Sequence, residues 1–374
     1  MFPHLRFPEF TEEWKAEQLD NIATLSKGIG ISKEQLSEDG EPCILYGELY
    51  TKYKSEIIKQ VESKTDINGS KLKRSKANDV IIPCSGETAV DIATARCVPF
   101  DNILFGGDLN VISLHQYDGA FMSYQLNGKR KYDIARVAQG VSIVHLYGEH
   151  LKAIKTYNPT LPEQQKIAKL LSLLDDRIDT QNKIIEDLKK LKSAISERLF
   201  KSVKGFTVLL SDLCDIVKGK QINGENLSDS GNYYVMNGGT EPSGYYDNYN
   251  VEASTISISE GGNSCGYVQF NTSPFWSGGH CYSIQNIADK VDNMYLYHYL
   301  KSNEDAIMKL RIGSGLPNIQ KKDLAMFKII VPKIEWQIKI STFLSSLERK
   351  AEIEERIQNV MQKQKLYLLQ QMFI

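Results

Sequence analysis

The chain has 374 residues, of which 41% are hydrophobic and 24% charged, with a formal net charge of −1. That is room for two or three domains of ordinary soluble composition, and the neutral balance counts against a free-standing DNA-binding protein, which usually carries a basic excess. No run of about 18 apolar residues exists, which excludes a membrane-spanning helix; Met1-Phe2-Pro3-His4-Leu5-Arg6 lacks the pattern of a signal peptide and the cysteines (Cys43, Cys84, Cys97, Cys214, Cys265, Cys281) form no C-x-x-C pair, so a cytoplasmic protein with reduced thiols and no zinc site is expected.

Residues 1–157 mix short β-branched and aromatic runs with Gly, Asn, Asp and Pro. Asp79-Val80-Ile81-Ile82-Pro83 and Val141-Ser142-Ile143-Val144 read as short strands between turns. Residues 158–202 change character. They contain no Gly, and Pro162 stands at the helix entrance, where its missing N–H costs nothing. Ile167, Leu171, Leu174, Ile178, Ile185, Leu188, Ile195 and Leu199, with Gln181 and Lys192 in the gaps, follow a heptad rhythm. Leu170, Leu173, Ile184 and Leu191 widen the stripe, as in a helix that touches more than one neighbour. Gly205 breaks this helix. Residues 203–331 return to the β-rich, turn-rich character, as in Asn237-Gly238-Gly239 and Glu260-Gly261-Gly262-Asn263. Residues 332–374 form a second long helix with Ile340, Phe343, Leu344, Leu347, Ile353, Ile357, Val360, Met361, Leu368 and Met372 on its stripe. Glu354, Gln358 and Lys365 stand at its repeat-equivalent seam positions, which implies a register shift midway.

The second half repeats the first. Pro159, Gln164, Ile167, Leu171, Leu174 and Phe200 return 173 positions later as Pro332, Gln337, Ile340, Leu344, Leu347 and Phe373. In the globular parts the offset wanders: Lys27-Gly28 parallels Lys218-Gly219, Ile82 to Glu87 lies opposite Ile256 to Gly261, and Gly106-Gly107 opposite Gly278-Gly279. The expected fold class is α+β: a pseudo-twofold tandem repeat of two β-rich globular domains, each followed by a long helix, with the helices paired as an antiparallel coiled coil. A helix of 40 residues is about 60 Å long, enough to act as a ruler between two working surfaces. Pseudo-symmetric proteins suit pseudo-symmetric partners, of which duplex DNA is the commonest.

Catalytic motifs are missing. Asn158-Pro159-Thr160-Leu161 lacks the second proline and the aromatic of the adenine-methylase loop, no phosphate-binding G-x-x-x-x-G-K-[ST] loop exists, and the six histidines are scattered. DNA contacts call instead for Lys and Arg on phosphates and polar loop residues on bases. In the first half the candidates are Lys71, Lys73, Arg74 and Lys76, then Lys129, Arg130 and Lys131, two runs that read equally as solvated faces, together with Ser85, Glu87 and Thr88. In the second half they are Lys218, Lys220, Asn237, Thr240, Ser259, Glu260, Asn263, Arg311, Ser314 and Asn318. The stretch Tyr245-Tyr246-Asp247-Asn248-Tyr249 reads either as a groove lining or as an edge strand.

The order of domains, the opening Leu5-Arg6-Phe7-Pro8-Glu9-Phe10-Thr11-Glu12-Glu13-Trp14, the helix entry Leu161-Pro162-Glu163-Gln164-Gln165-Lys166-Ile167-Ala168 and the loop Gly313-Ser314-Gly315-Leu316-Pro317-Asn318-Ile319 together resemble the specificity subunit of type I restriction–modification systems. The resemblance covers essentially the whole chain. It implies target-recognition domains at 1–157 and 203–331, each reading one half of a bipartite sequence in double-stranded DNA. The helices at 158–202 and 332–374 are implied to set the spacer and to dock two methyltransferase subunits. The docking residues would be Ile167, Leu171, Leu174, Ile178, Ile185, Leu188, Ile340, Leu344, Leu347 and Met361. It further implies a non-catalytic chain without a cofactor of its own, with S-adenosylmethionine, ATP and Mg bound by partner subunits, and two restriction–translocase subunits in the full complex. A coiled-coil adaptor that binds only proteins is the alternative. Trp336 stands where the first half has Glu163, and Glu335 replaces Pro162, departures from the family pattern that count against equal docking by the two halves.

Overall fold

The computed structural model describes residues 1–374 apart from Ser314 and Leu316. The chain divides into two compact units. The first joins Met1–Asn182 to Arg356–Ile374, and the second is Lys183–Glu355. Both divisions fall inside the long helices, so each unit is completed by the end of the helix that begins in the other.

In unit 1 the strands β1 (Ala23–Lys27), β2 (Asp79–Pro83), β3 (Arg96–Val98) and β4 (Leu109–Leu114) form an antiparallel sheet in the order β1-β4-β2-β3. In unit 2 the strands β5 (Asp215–Lys218), β6 (Thr255–Ser259), β7 (Val268–Asn271) and β8 (Cys281–Gln285) repeat that order as β5-β8-β6-β7. The cores repeat as well. Val80, Ile82 and Ile112 pack with Met122 and Leu126 of helix α1 (Gly119–Asn127). Ile256, Ile258 and Ile284 cluster with Tyr295, Leu296 and Leu300 of helix α3 (Asn293–Ser302). A smaller sheet accompanies each, with Cys43-Ile44 parallel to Leu104-Phe105 in unit 1 and Val235-Met236 parallel to Trp276-Ser277 in unit 2. Tyr245-Tyr246 is an edge strand of the latter.

The long helices are α2 (Leu161–Ser202) and α4 (Ile334–Gln371). Their conserved-spacing glutamines explain the repeated entry motif. The Gln164 amide accepts from the Asp118 N–H at 2.9 Å and donates to the Pro159 carbonyl at 2.8 Å. Gln337 does the same with Asp292 and Pro332, both at 2.8 Å. Asp118 and Asp292 in turn cap α1 and α3, each accepting a backbone N–H at 2.7 Å. One side chain thus ties the start of a long helix to the start of the helix that packs on the sheet.

Within each unit the helix segments run antiparallel. In unit 1, Ile167 and Leu171 of α2 cluster with Leu369 and Met372, while Asp175 meets Lys365 and Asn182 meets Gln358. In unit 2, Lys189 pairs with Glu355 and Lys192 with Glu348. Gly205 follows α2 where a side chain would strike the Val331 carbonyl, with a Cβ only 2.4 Å from its oxygen. This lets Phe206–Leu209 pair with Lys328–Val331.

Four expectations change. Only Val144 of the run 141–144 is in a strand, Val144-His145. Gly140, at φ +121°, turns the chain back so that Gln139 and His145 bond each other, which leaves Val141 and Ile143 at an exposed tip. The strand alignment shifts by two: Ile82 pairs with Asn110 and Ile258 with Tyr282, so Ile82 is the counterpart of Ile258 rather than Ile256, and Ser85, not Glu87, takes the place of Gly261. The register shift in α4 is not needed, because Lys365 stays on the seam and is neutralised there. Finally, Ile167, Leu171, Leu174, Ile185, Ile340 and Leu344 are buried inside this chain, and Ile178, Leu188, Leu347 and Met361 are partly buried, so the heptad seam is not a free docking surface. The helix segments and domain core of the same unit already cover it.

Candidate nucleic-acid interface

At one end of each four-stranded sheet the loops gather by the same backbone rule. Lys27 and Lys218 end β1 and β5, and each is followed by a glycine. A Cβ on Gly28 would lie 1.9 Å from the Gly106 oxygen, and one on Gly219 would lie 2.2 Å from the Gly278 oxygen. Only glycine allows these approaches, which bring the loop after β1 or β5 against the loop before β4 or β8. The loop after β2 or β6 joins them: Cys84 donates its N–H to Asp108, and Glu260 donates its N–H to His280. The hairpin 139–145 and the paired residues Ile312 and Asn318 complete each cluster, since His145 bridges Ser85 and Asn318 bridges Gly261.

The candidate residues of unit 2 converge here. Lys218 bonds Glu260 at 2.6 Å, and the Glu260 carboxylate also accepts from the Tyr282 hydroxyl at 3.1 Å. Asn237 accepts the His280 N–H at 3.0 Å. Ser259 is buried and donates to the Gly238 carbonyl at 2.7 Å, so its hydroxyl serves the loop rather than solvent. Lys220, Thr240, Asn263, Arg311 and Asn318 are exposed. Ser314 lies outside the described residues.

Unit 1 is more dispersed. The Ser85 hydroxyl meets His145 Nδ1 at 3.3 Å, and the Tyr50 hydroxyl donates to the Ser85 carbonyl at 3.2 Å. Glu87 is exposed, while Thr88 caps the short helix Ala89–Ile92. A cavity of about 790 Å³ opens between them, lined by Tyr46, Tyr50, Ser85, Glu87, Asp91 and Ser142 among others. The run from Lys71 to Lys76 lies on and beside the strand Lys73-Arg74 of the smaller sheet, where Arg74 is bound twice by Glu41, at 2.6 and 3.0 Å. Arg130 bonds the Ile374 carbonyl and Asp133, between the exposed Lys129 and the half-buried Lys131. Its charge is spent on the fold rather than offered to a ligand.

Lys27, Tyr50, His145, Tyr147 and His280 also stand at these clusters, without having been candidates on sequence alone. The doublets Lys27-Gly28 and Lys218-Gly219 were the available signal for the first. The histidines gave none, because the pairing of 85 with 145 exists only in three dimensions. Burial pushes the Cys84 thiol up to about 11, and among the described residues all six cysteines are free and buried, with no group of three His, Cys, Asp or Glu placed to hold a metal. The clusters therefore offer hydrogen-bond donors, acceptors and cations.

The profile of the type I restriction modification DNA specificity domain matches residues 11–190 and again 205–363. A protein of Mycoplasma genitalium named as a type I specificity subunit is 34% identical over 122 residues, 32% of this chain and 31% of that one. The chain thus spans about a third of that curated relative's length. The MjaVIII type I restriction enzyme specificity subunit of Methanocaldococcus jannaschii is 24% identical across 96% of this chain and 91% of its own. In fold, the chain is similar to the crystal structure of a type I S subunit from M. genitalium, with a TM-score of 0.70 at 20% identity, covering 100% of this chain and 99% of that one. With two copies of the domain spanning nearly its whole length, the chain belongs to the type I restriction–modification DNA specificity family.

Proposed function

We propose that this chain is the DNA-reading, non-catalytic subunit of a type I restriction–modification complex. Each unit reads one half of a bipartite target in double-stranded DNA through its loop cluster, and α2 and α4 set the number of base pairs skipped between the halves. The observation that carries the reading is the duplicated loop cluster: two equivalent sheets present cations, amides and imidazoles at the same end. Base edges demand such groups, and a duplicated reader suits a two-part site.

The methyltransferase subunits, two in number, dock on the exposed second stripe of the helices instead of the buried seam. In unit 1 that stripe includes Leu170, Leu173, Ile357 and Val360, and in unit 2 it includes Ile184, Leu191, Trp336, Phe343 and Ile353. Exposed apolar faces of this size mark interaction surfaces. Those partners carry S-adenosylmethionine, and two further motor–nuclease subunits carry ATP and Mg. Sequencing of adenine methylation in the host, with and without this gene, tests the reading. A bipartite methylated motif should vanish on deletion. An unchanged methylome with the methyltransferase expressed would overturn it.

A further inference from the structure

We propose that a single position, Cys84 in unit 1 and Glu260 in unit 2, decides what the neighbouring strand-end lysine does on DNA: Lys27 neutralises a phosphate, whereas Lys218, held by Glu260, reads base edges. The inference rests on the DNA-reading function above and assigns roles within it.

The two positions are the same niche of the fold. The Cys84 N–H donates to Asp108 at 2.7 Å and its carbonyl accepts from Leu146 at 2.8 Å. The Glu260 N–H donates to His280 at 2.9 Å and its carbonyl accepts from Ile319 at 2.8 Å. The lysines match as well, for Gly28 donates to Leu109 and Gly219 to Cys281, both at 2.9 Å. Asn110 and Tyr282, on the adjacent strand, donate to the Leu146 and Ile319 carbonyls, again equivalent atoms.

The side chains then diverge. The Glu260 carboxylate is only 11% exposed, and the Lys218 ammonium it grips is on a side chain 54% exposed. The carboxylate is therefore set back while the cation faces outward. Glu260 Oε1 takes both Lys218 and Tyr282; Oε2 is buried without a hydrogen-bond partner and lies 3.9 Å from Nδ1 of the exposed His280. Lys218 is thus fixed in direction and has part of its charge cancelled. In unit 1 the neutral Cys84 makes no such grip. Among the described residues no carboxylate lies within ion-pair distance of Lys27, whose ammonium stands 5.8 Å over the exposed Tyr147 ring.

An uncancelled ammonium acts as a point charge and suits a phosphate, whose contribution is salt-dependent and blind to sequence. A pinned ammonium with hydrogens left to donate suits the acceptors of a base edge, where direction carries information. Glu260 is then a positioning residue that acts through Lys218.

The test uses the full chain assembled with the host's methyltransferase subunits and labelled duplexes bearing the methylated motif, each with one base substituted, titrated with salt. Lys27→Met should weaken every duplex by a similar factor and shrink the slope of log affinity against log salt by about 0.9. Lys218→Met should leave that slope nearly intact but reduce discrimination by about tenfold or more at one position of one half-site. Glu260→Gln should steepen the slope by about 0.9 and relax the same position, as the released lysine turns to phosphate. If that buried substitution prevents folding, the two exposed lysines still decide. Equal slope changes for Lys27→Met and Lys218→Met, or substitution penalties untouched by Lys218→Met, overturn the inference alone. A wild-type complex blind to sequence overturns the DNA-reading function itself.

Discussion

His298 is a structural histidine whose burial makes it a pH-sensitive point of the fold. The residue looks like one of six scattered histidines, yet it is buried in α3 with Nε2 2.9 Å from the Ser345 hydroxyl. Burial pushes its pKa down to about 4, with Glu348 opposing and Lys192 assisting. The folded pKa lies below the unfolded value of 6.5, so the stabilisation is complete above pH 6.5 and is lost as the pH falls towards 4. The loss across that window is about 3 kcal/mol. Denaturant unfolding at pH 7 and pH 5 should show a decline that His298→Gln removes; an identical decline in the variant would mean that other groups cause it.

At the scale of elements, the repeat preserves a polar lock between helices. In unit 1 the Tyr124 hydroxyl of α1 donates to Asp175 of α2 at 2.7 Å, and Asp175 pairs with Lys365 of α4 at 2.7 Å. In unit 2, Tyr297 of α3 donates to Glu348 of α4 at 3.1 Å, and Glu348 pairs with Lys192 of α2 at 2.5 Å. All three residues recur at the offset of 173, with the two long helices exchanging roles. The locks differ in depth. Lys365 is also held by Glu56 at 2.6 Å, and the three side chains are 17%, 9% and 5% exposed for Lys365, Glu56 and Asp175. Burial opposes the charge on Lys365, but the two carboxylates outweigh it and raise its pKa. Burial also pushes Asp175 up. Lys365→Met strands both carboxylates and should cost about 3–5 kcal/mol. Lys192 and Glu348 are 23% and 28% exposed, and Lys192→Met should cost about 1 kcal/mol or less. Urea unfolding compares them, and equal losses would contradict the argument from depth.

For the whole molecule, the repeat makes two expectations independent of each other. Leu170 and Phe343 are repeat equivalents and are 37% and 46% exposed, so a charge at either should leave the fold intact. Leu170→Glu and Phe343→Glu should each weaken retention of one methyltransferase copy by about tenfold or more. Mass measurement of the purified complex reads the stoichiometry, and full retention in both variants would exclude this face. Exchange of residues 206–331 for those of a relative should alter one half of the methylated motif and leave the other. A change in both halves would show that the halves are not read independently.

The sequence by itself determined the duplication, the two long helices and the β-rich character of the segments between them. These rest on local signals: a constant offset, apolar spacing, and the placement of Pro162 and Gly205. It also displayed a stripe too wide for one partner, with Leu170, Leu173, Ile184 and Leu191 beside the seam. Only the tertiary structure decided which stripe is covered, because burial depends on what packs against a face and not on its periodicity. The same holds for the loop clusters. Ser85 and His145, or Lys218 and Glu260, are distant in the chain, and their pairing follows from strand register and from two glycines that permit close backbone approach. Long-range pairing leaves no periodic trace, so Ser85, Lys218 and Glu260 were visible while His145 and the constellation they form were not.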